Sequence, residues 1–426
     1  MKGNLINPKV SAVKPSATLA INELSNELIS KGKVVYKLGF GQSPFPVPED
    51  LVDALKMNAA KKEYLPVSGL RELREVTSDF YKRNYQLKIS ADNILIGPGS
   101  KELLYNLQVV CDYDEILLPT PSWVSYEPQG VITNKLVTWI PTKEEESWKI
   151  KPETIDRICR EQPEKGRIII FNYPSNPLGV TYSKTELEAL SKVFRANNIL
   201  VVADEIYGEL QFDGNHSTIA TYYPEGTIIS TGLSKWAGAG GWRLGIFIIP
   251  DELKSIREAM AVLASETFTS TSTPIQYAAM EAFKKNDRID MYVKDCRNVL
   301  TAVGLYCFNE LKKAGVTMPK PEGGFYIYPN FNKWKEKLQL KGIVTSGQLC
   351  EVLLRDTGVA LLPGNAFGHP DDLFTARLSF VDFDGEKTLQ YLNDINHVEL
   401  DGEFVKSYCP RIITSIKVLI SWLKNL

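Results

Sequence analysis

Residues 230–245, STGLSKWAGAGGWRLG, place a single lysine, Lys235, among small and apolar residues, and Arg243 follows eight positions later. A lysine taken at random is a solvated surface charge. An ammonium among small apolar residues loses hydration, which lowers its pKa and makes the amine a nucleophile able to form a Schiff base. The apolar run TIISTG leads into this stretch, so we expect a reactive lysine where a buried strand ends.

Further apolar runs alternate with amphipathic stretches upstream of this segment. The runs are DNILIG, EILLP, RIIIFN and ILVVADE, each bounded by turn residues. This order predicts an α/β fold with a mostly parallel sheet covered by helices on both faces. After about Met291 the pattern changes to long helices and short apolar motifs, which predicts a smaller α+β domain. The tail RIITSIKVLISWLKNL favours a packed terminal helix over docking to a membrane or a partner.

The composition excludes several classes of function. The chain has 426 residues, enough for two domains, and a net charge of -2 without a basic patch, which argues against nucleic-acid binding. Six scattered cysteines without a CxxC pair fit a reducing compartment, and three distant histidines argue against a metal site. The first twenty residues contain no apolar run typical of a signal peptide or membrane span, so we expect a cytoplasmic protein without membrane association.

Four motifs follow four of the predicted strands. GPGSKE follows DNILI, NYPSNPLG follows RIIIF, DEIYGE follows ILVVA, and GLSKW follows TIIST. The carboxyl ends of parallel strands meet at one edge of a sheet, where ligands bind. We therefore expect these four loops to build one site.

Individual residues near the predicted strand ends have a structural or a functional interpretation. Asp204 in DEIY either caps a helix or holds a pyridinium nitrogen protonated. Tyr207 lies three residues further on and could donate a hydrogen bond to a ring oxygen. Trp123 in PTPSWVSYEP either packs in the core or stacks on a flat ring. Asn176 in SNPLG by default forms a turn before proline.

The remaining charged and glycine-rich motifs indicate an anion site. GPGSKELLYNL lacks the GxxxxGK[ST] spacing and no GxGxxG occurs in it, so a nucleotide fingerprint is absent. A glycine-rich turn before a helix favours a phosphate monoester, with Ser100 and Arg243 as further ligands. Arg377 in ARLSF lies in an apolar, strand-like setting and needs a carboxylate or phosphate partner there.

Taken together, these motifs resemble those of a known family. SNPLG, DEIY, LSKW with GWRLG, PEGGFY, PGNAFG and ARLSF follow the order and spacing of pyridoxal-phosphate enzymes of the aspartate aminotransferase fold, in particular class I/II aminotransferases. The resemblance covers about residues 15–380. It implies fold type I, with a mostly parallel seven-stranded sheet flanked by helices and a smaller α+β domain. It also implies a segment 1–48 joining the small domain, a large cofactor domain 49–300 and a small domain 301–426.

The resemblance further implies a role for each matching residue. Lys235 matches the Schiff-base lysine, which binds the cofactor aldehyde and later moves a proton between the substrate Cα and the cofactor C4′. Asp204 matches the partner of the pyridinium nitrogen. The other cofactor matches are Tyr207 and Asn176 at the ring oxygen, Trp123 stacked on the ring, Gly99, Ser100, Lys101, Ser234 and Arg243 around the phosphate, and Tyr64 from the neighbouring subunit of a homodimer. The substrate-binding matches are Gly41, Asn176 and Arg377.

PEGGFY and PGNAFG each depart from the commoner family motif by a single residue, and one position of the phosphate site departs as well. Members often carry Ser or Thr three residues before the lysine as a phosphate ligand, whereas this chain has Gly232. Either Thr231 or Ser230 is the candidate replacement.

The resemblance implies ping-pong transfer of an amino group from an L-amino acid to a 2-oxo acid, with aspartate or a broad range of donors. A β-eliminating carbon–sulfur lyase or a related synthase is the alternative, since it needs the same electron sink. A regulator on this fold would need a DNA-binding domain, for which the roughly 40 residues before GFGQSPFP leave no room. A second substrate carboxylate would need another cation, either Lys101 or a residue of a neighbouring subunit's SETFTSTSTP loop.

Overall fold

The computed structural model describes residues 5–13, 17–394 and 400–426. The strands are β1 Ile94–Gly97, β2 Glu115–Pro119, β3 Leu136–Ile140, β4 Arg167–Asn172, β5 Leu200–Asp204, β6 Thr227–Gly232, β7 Gly245–Ile248, β8 Tyr326–Ile327, β9 Leu362–Pro363 and β10 Ala376–Ser379. The helices are α1 Pro8–Ser11, α2 Ala17–Ser30, α3 Glu49–Asn58, α4 Arg71–Tyr85, α5 Ser100–Val110, α6 Tyr126–Ile132, α7 Pro152–Glu161, α8 Lys184–Ala196, α9 Lys254–Glu266, α10 Thr273–Phe283, α11 Asp287–Lys313, α12 Lys335–Leu340, α13 Ser346–Thr357, α14 Gly385–Asp394, α15 Gly402–Tyr408 and α16 Pro410–Lys424.

The first seven strands form one sheet in the order β1-β7-β6-β5-β4-β2-β3. Strands β2 to β6 pair in parallel, and β7 runs antiparallel to both of its neighbours. Both faces are covered, because Ile169 and Phe171 of β4 pack in one apolar cluster and Ile168 and Ile170 in another. Strands buried on both faces are near-continuous apolar runs, which is why the sequence revealed them. The predicted mostly parallel, seven-stranded α/β sheet is confirmed.

A second, smaller sheet is antiparallel, in the order β8-β10-β9. The long helix α11 packs against α14, α15 and α16 beside it. The terminal helix α16 buries Ile412, Ile416 and Leu419, as a packed helix does. Among the described residues, no helix is long and apolar enough to cross a membrane. The expected domain boundary at residues 300–301 falls inside α11, and the division into domains stays a prediction.

Candidate active site

A cavity of about 360 Å³ lies at the carboxyl-terminal edge of the seven-stranded sheet. The four predicted loops converge on it, and a fifth loop, after β2, joins them. The strands fix the position of these side chains, because each loop leaves the sheet at a hydrogen-bonded strand end. The lining residues are Ser100 and Lys101 after β1, Trp123 and Tyr126 after β2, Asn172 and Asn176 from β4, Asp204, Ile206 and Tyr207 from β5, Ser234 and Lys235 after β6, and Gly41, Gln42, Gly240, Gly241 and Arg243.

Lys235 extends into this cavity and has no carboxylate partner within ion-pairing distance among the described residues. Its Nζ donates to the backbone carbonyl oxygen of Gly41 at 2.6 Å. Burial, followed by the positive charge of Arg377, lowers the pKa of the ammonium to about 8. An amine with this pKa is partly unprotonated near neutral pH, so it can attack an electrophile.

Asp204 is held by three groups. Tyr126 Oη donates to Asp204 Oδ2 at 2.6 Å, and the Ile206 N–H makes a longer contact of 3.4 Å with Oδ1. Asn172 Nδ2 donates to the backbone carbonyl of Asp204 at 2.7 Å. Burial raises the pKa of the carboxyl to about 6, and the Tyr126 hydrogen bond acts in the opposite direction. The sequence analysis did not single out Tyr126 or Asn172; the available signal was the position of Tyr126 three residues after Trp123.

The predicted phosphate site is a cluster of cations at the start of α5. The first turn of a helix leaves backbone N–H groups without intrahelical partners, and α5 begins at Ser100. Within the described part of the chain, Arg243 donates only to the backbone carbonyls of Gly240 and Pro98, at 3.0 and 3.4 Å. Burial and the charge of Arg243 lower the pKa of Lys101. Gly99 is required beside them, because its φ is +99° and a Cβ would collide with the Arg243 guanidinium.

The glycine that departs from the family pattern has a packing reason. A Cβ on Gly232 would lie 2.6 Å from the backbone carbonyl oxygen of Leu244 on the adjoining segment before β7. A serine or threonine there would push β6 away from β7. Ser230 and Thr231, the two candidate replacements, are buried and are not among the residues that line the cavity, whereas Ser234 is.

Arg377 lies on β10 of the smaller sheet, only 3 % exposed. Its Nη1 donates to Asn176 Oδ1 at 3.1 Å and its Nη2 to the Gly39 carbonyl at 2.7 Å. The Nε has no partner among the described residues, and no carboxylate pairs with the guanidinium there. The guanidinium also faces the ring of Tyr326 at 4.7 Å. Arg377 is thus a buried cation behind the cavity wall, with hydrogen-bonding capacity left over.

Gly41 and Tyr326 connect this arginine to the cavity. Tyr326 Oη lies 2.9 Å from Tyr207 Oη, which itself lines the cavity. A Cβ on Gly41 would collide with the Tyr326 hydroxyl and lie 3.8 Å from Arg377 Nη1. Glycine at this position therefore avoids a collision with the Tyr326 hydroxyl. Tyr326 lies within the PEGGFY motif, yet the sequence analysis did not identify it as a site residue.

The structure brings nearly all of the predicted site residues together. Gly99 and Arg377 do not line the cavity. Gly99 lies against Arg243, and Arg377 donates to Asn176, and both of these partners do line it. Trp123 lines it, with Lys101 Nζ 4.9 Å from the centre of its ring. Tyr64 lies apart, with 88 % of its surface exposed in the single chain. Among the residues that the structure describes, no three His, Cys, Asp or Glu side chains converge as metal ligands.

Comparison with known proteins identifies relatives of this site and fold. The family model for aminotransferase class I and II matches residues 33–382. The aspartate aminotransferase of Bacillus subtilis (strain 168) is 34% identical over 381 residues, 87% of this chain and 93% of that protein. An asparagine–oxo-acid transaminase of Streptococcus mutans is 32% identical, over 88% of this chain and 94% of its own length. The structure of Thermus thermophilus aspartate aminotransferase with maleate superimposes with a TM-score of 0.82 at 29% identity, over 94% of this chain and 100% of that one.

Proposed function

Because the chain belongs to the class I and II aminotransferases, which depend on pyridoxal phosphate, we propose that it moves the amino group of L-aspartate to a 2-oxo acid by a ping-pong mechanism. The amino-transfer chemistry follows from the family. The identity of the donor is our inference, and the ammonium of Lys101, unpaired among the described residues, is the observation that carries it.

The cavity fits the chemical groups of the cofactor. Arg243 and the start of α5 are positive groups without a carboxylate partner in the described residues, as a phosphate dianion requires. Trp123 offers a ring face, Asp204 offers a buried carboxylate, and Lys235 offers an amine. Bound there, pyridoxal phosphate supplies an electron-accepting ring that stabilises negative charge at the substrate Cα.

Each side chain then has a defined task. With pyridoxal phosphate bound, Lys235 would supply the amine for the cofactor aldehyde and would carry the proton that leaves the substrate Cα. Asp204 would hold a proton on the ring nitrogen, and Tyr207 and Asn176 would donate hydrogen bonds to the ring oxygen. Arg377, with the Gly41 backbone, binds the α-carboxylate that all amino-acid substrates share.

We further propose that the protein forms a homodimer and is located in the cytoplasm. Tyr64 is exposed in the single chain. If its side chain reaches the phosphate bound by a second copy, dimerisation would cover it. All six cysteines are unpaired thiols, which fits a reducing compartment.

In this proposal the Lys101 ammonium binds the side-chain carboxylate of aspartate. The Lys101 ammonium lies over the Trp123 ring at 4.9 Å, at the cavity wall, and burial lowers its pKa. A desolvated cation gains most from an anionic partner. The backbone N–H of the same residue remains available to the phosphate.

The decisive experiment is an absorbance spectrum of the purified holoenzyme after each amino acid is added alone, without any oxo acid. We expect L-aspartate to convert the visible band to a near-ultraviolet band fastest. Accumulation of ammonia and oxo acid with the visible band unchanged would favour the β-eliminating lyase instead. Absence of a visible band even with added pyridoxal phosphate would overturn the role given to Lys235.

Replacing Lys101 with methionine should separate dicarboxylate from neutral donors. We expect kcat/KM for L-aspartate to fall about 10- to 100-fold, the cost of one charged hydrogen bond, while L-alanine changes less than about twofold. The backbone N–H survives the substitution, so the cofactor stays bound. K192M, at an exposed lysine of α8, is the matched control. An equal loss for both donors would show that Lys101 serves the cofactor and not the distal carboxylate.

The lowered pKa of Lys235 predicts a specific pH dependence of cofactor capture. With a pKa of about 8, the free amine makes up about a tenth of the protein at pH 7 and about nine tenths at pH 9. The rate at which the visible band forms from apoprotein and pyridoxal phosphate should rise about tenfold over this range and then level off. A lysine with an ordinary pKa would give about a hundredfold rise without a plateau. Stopped-flow absorbance distinguishes the two.

A further inference from the structure

Two neighbouring carboxylates, Asp204 and Glu205, lie at the end of β5, and each receives a hydrogen bond from a buried tyrosine. Tyr126 Oη donates to Asp204 at 2.6 Å, and Tyr173 Oη donates to Glu205 Oε1 at 2.8 Å. Side chains of successive strand residues point to opposite faces. Accordingly Asp204 lines the cavity, whereas Glu205 does not and lies 3.2 Å from His216 Nε2. The pair provides an internal comparison, because only Tyr126 donates to a carboxylate that lines the cavity.

The Tyr126 phenol is fixed more firmly than a surface hydroxyl. Tyr126 is the first residue of α6, is 1 % exposed, and packs edge-on against Trp123 with ring centroids 5.2 Å apart. Burial raises its pKa, so the phenol remains a neutral donor. Asn172 meanwhile holds the backbone carbonyl of Asp204. The strand end and one carboxylate oxygen, Oδ2, are therefore both held in place.

The other oxygen, Oδ1, is the one left for a ligand. Its contact in the described residues is the long one from the Ile206 N–H, at 3.4 Å. We propose that Tyr126 is a positioning residue that keeps the buried Asp204 carboxylate ionised and oriented, so that Oδ1 can accept a hydrogen bond from the protonated ring nitrogen of the cofactor. This inference rests on the proposed role of Asp204.

The surroundings of Asp204 explain why a dedicated donor is needed. Burial favours the neutral acid, and the negative charge of Glu205 acts in the same direction, whereas Lys235 favours the ionised form. Lys235 would have to lose its ammonium proton to react with the aldehyde, so its positive charge would not support the Asp204 carboxylate throughout the reaction. Without the Tyr126 hydroxyl, the shared proton would move from the ring nitrogen to Asp204, and the ring would lose electron-accepting power.

The test is the ¹⁵N chemical shift of holoenzyme reconstituted with ring-¹⁵N pyridoxal phosphate. We expect the unaltered enzyme to show the shift of a protonated pyridine and Y126F to move toward that of an unprotonated one. The cofactor dissociation constant of Y126F should also rise about tenfold. Y173F, which removes the matching hydroxyl at Glu205, should leave the ¹⁵N shift unchanged.

Further variants separate failure of this inference from failure of the proposed function. D204N should give the unprotonated shift; if it keeps the protonated one, the role of Asp204 itself is wrong. If D204N shifts and Y126F does not, Asp204 keeps its role and the inference about Tyr126 is overturned. Y126H restores a donor and should return the shift toward the protonated value. It also keeps the test open if Y126F does not fold, and an unprotonated shift in folded Y126H would contradict the proposal.

Discussion

Replacement of Lys235 by alanine is expected to lower kcat for transamination by about a thousandfold or more while pyridoxal phosphate still binds without a covalent bond. In the proposed mechanism Lys235 acts twice, first as nucleophile and then as proton carrier. A positioned acid–base group alone increases the rate about 10²- to 10⁴-fold. Its amine is prepared for both tasks by burial, which lowers its pKa to about 8. Lys101, the other lysine of the cavity wall, lies against Trp123 and the phosphate site.

Single-turnover absorbance with L-aspartate measures the loss, and equilibrium dialysis measures cofactor retention. K254A is the matched control, because Lys254 pairs with Glu258 on the exposed face of α9 and does not line the cavity. This control is expected to retain full turnover. If K235A kept more than about a tenth of the parent activity, the assignment of Lys235 would be wrong.

Replacement of Arg377 by methionine is expected to lower kcat/KM about 10²- to 10³-fold, mainly through KM. Loss of one partner from a buried, hydrogen-bonded charge pair has an effect of this size. The loss should be equal for L-aspartate and L-alanine, because both present the same α-carboxylate. This pattern differs from that of K101M, where the neutral donor is spared.

R355M serves as the control for removing an arginine, since Arg355 forms an exposed pair with Glu351 on α13. Arg377 also holds Asn176 and the Gly39 carbonyl, so thermal unfolding of R377M must be recorded alongside the kinetics. If both donors kept their parent KM in a folded R377M protein, the α-carboxylate would bind elsewhere.

The residues found from sequence are those at the ends of apolar runs. Lys235, Asp204 and Ser100 each follow a buried strand, and parallel pairing carries such positions to one edge of the sheet. Periodicity and turn residues thus predicted both the large sheet and most of the cavity wall. Gly232 was recognised as unusual, but the reason for it is the Leu244 carbonyl, which directly precedes the paired strand β7 and is twelve positions away in sequence.

The missed residues act through partners that are distant in the chain. The Tyr126 hydroxyl meets a carboxylate 78 positions away, and Tyr326 meets Tyr207 across 119 positions. The residues next to a tyrosine in sequence do not predict which distant group its hydroxyl will contact. For Arg377 the sequence predicted that a partner is needed, but not that Asn176 Oδ1 and the Gly39 carbonyl would accept hydrogen bonds from it.

The one-sided placement of the cavity makes the opposite edge of the sheet a place for engineering. The turn between α7 and β4 lies there, and its residues Pro163 and Glu164 are exposed. Strand β4 has six residues, so a peptide inserted in this turn would lie about 20 Å from the loops that line the cavity. A tag, a fluorophore or a tether to a solid support at this point is expected to preserve turnover, whereas the same insertion after β5 would abolish it.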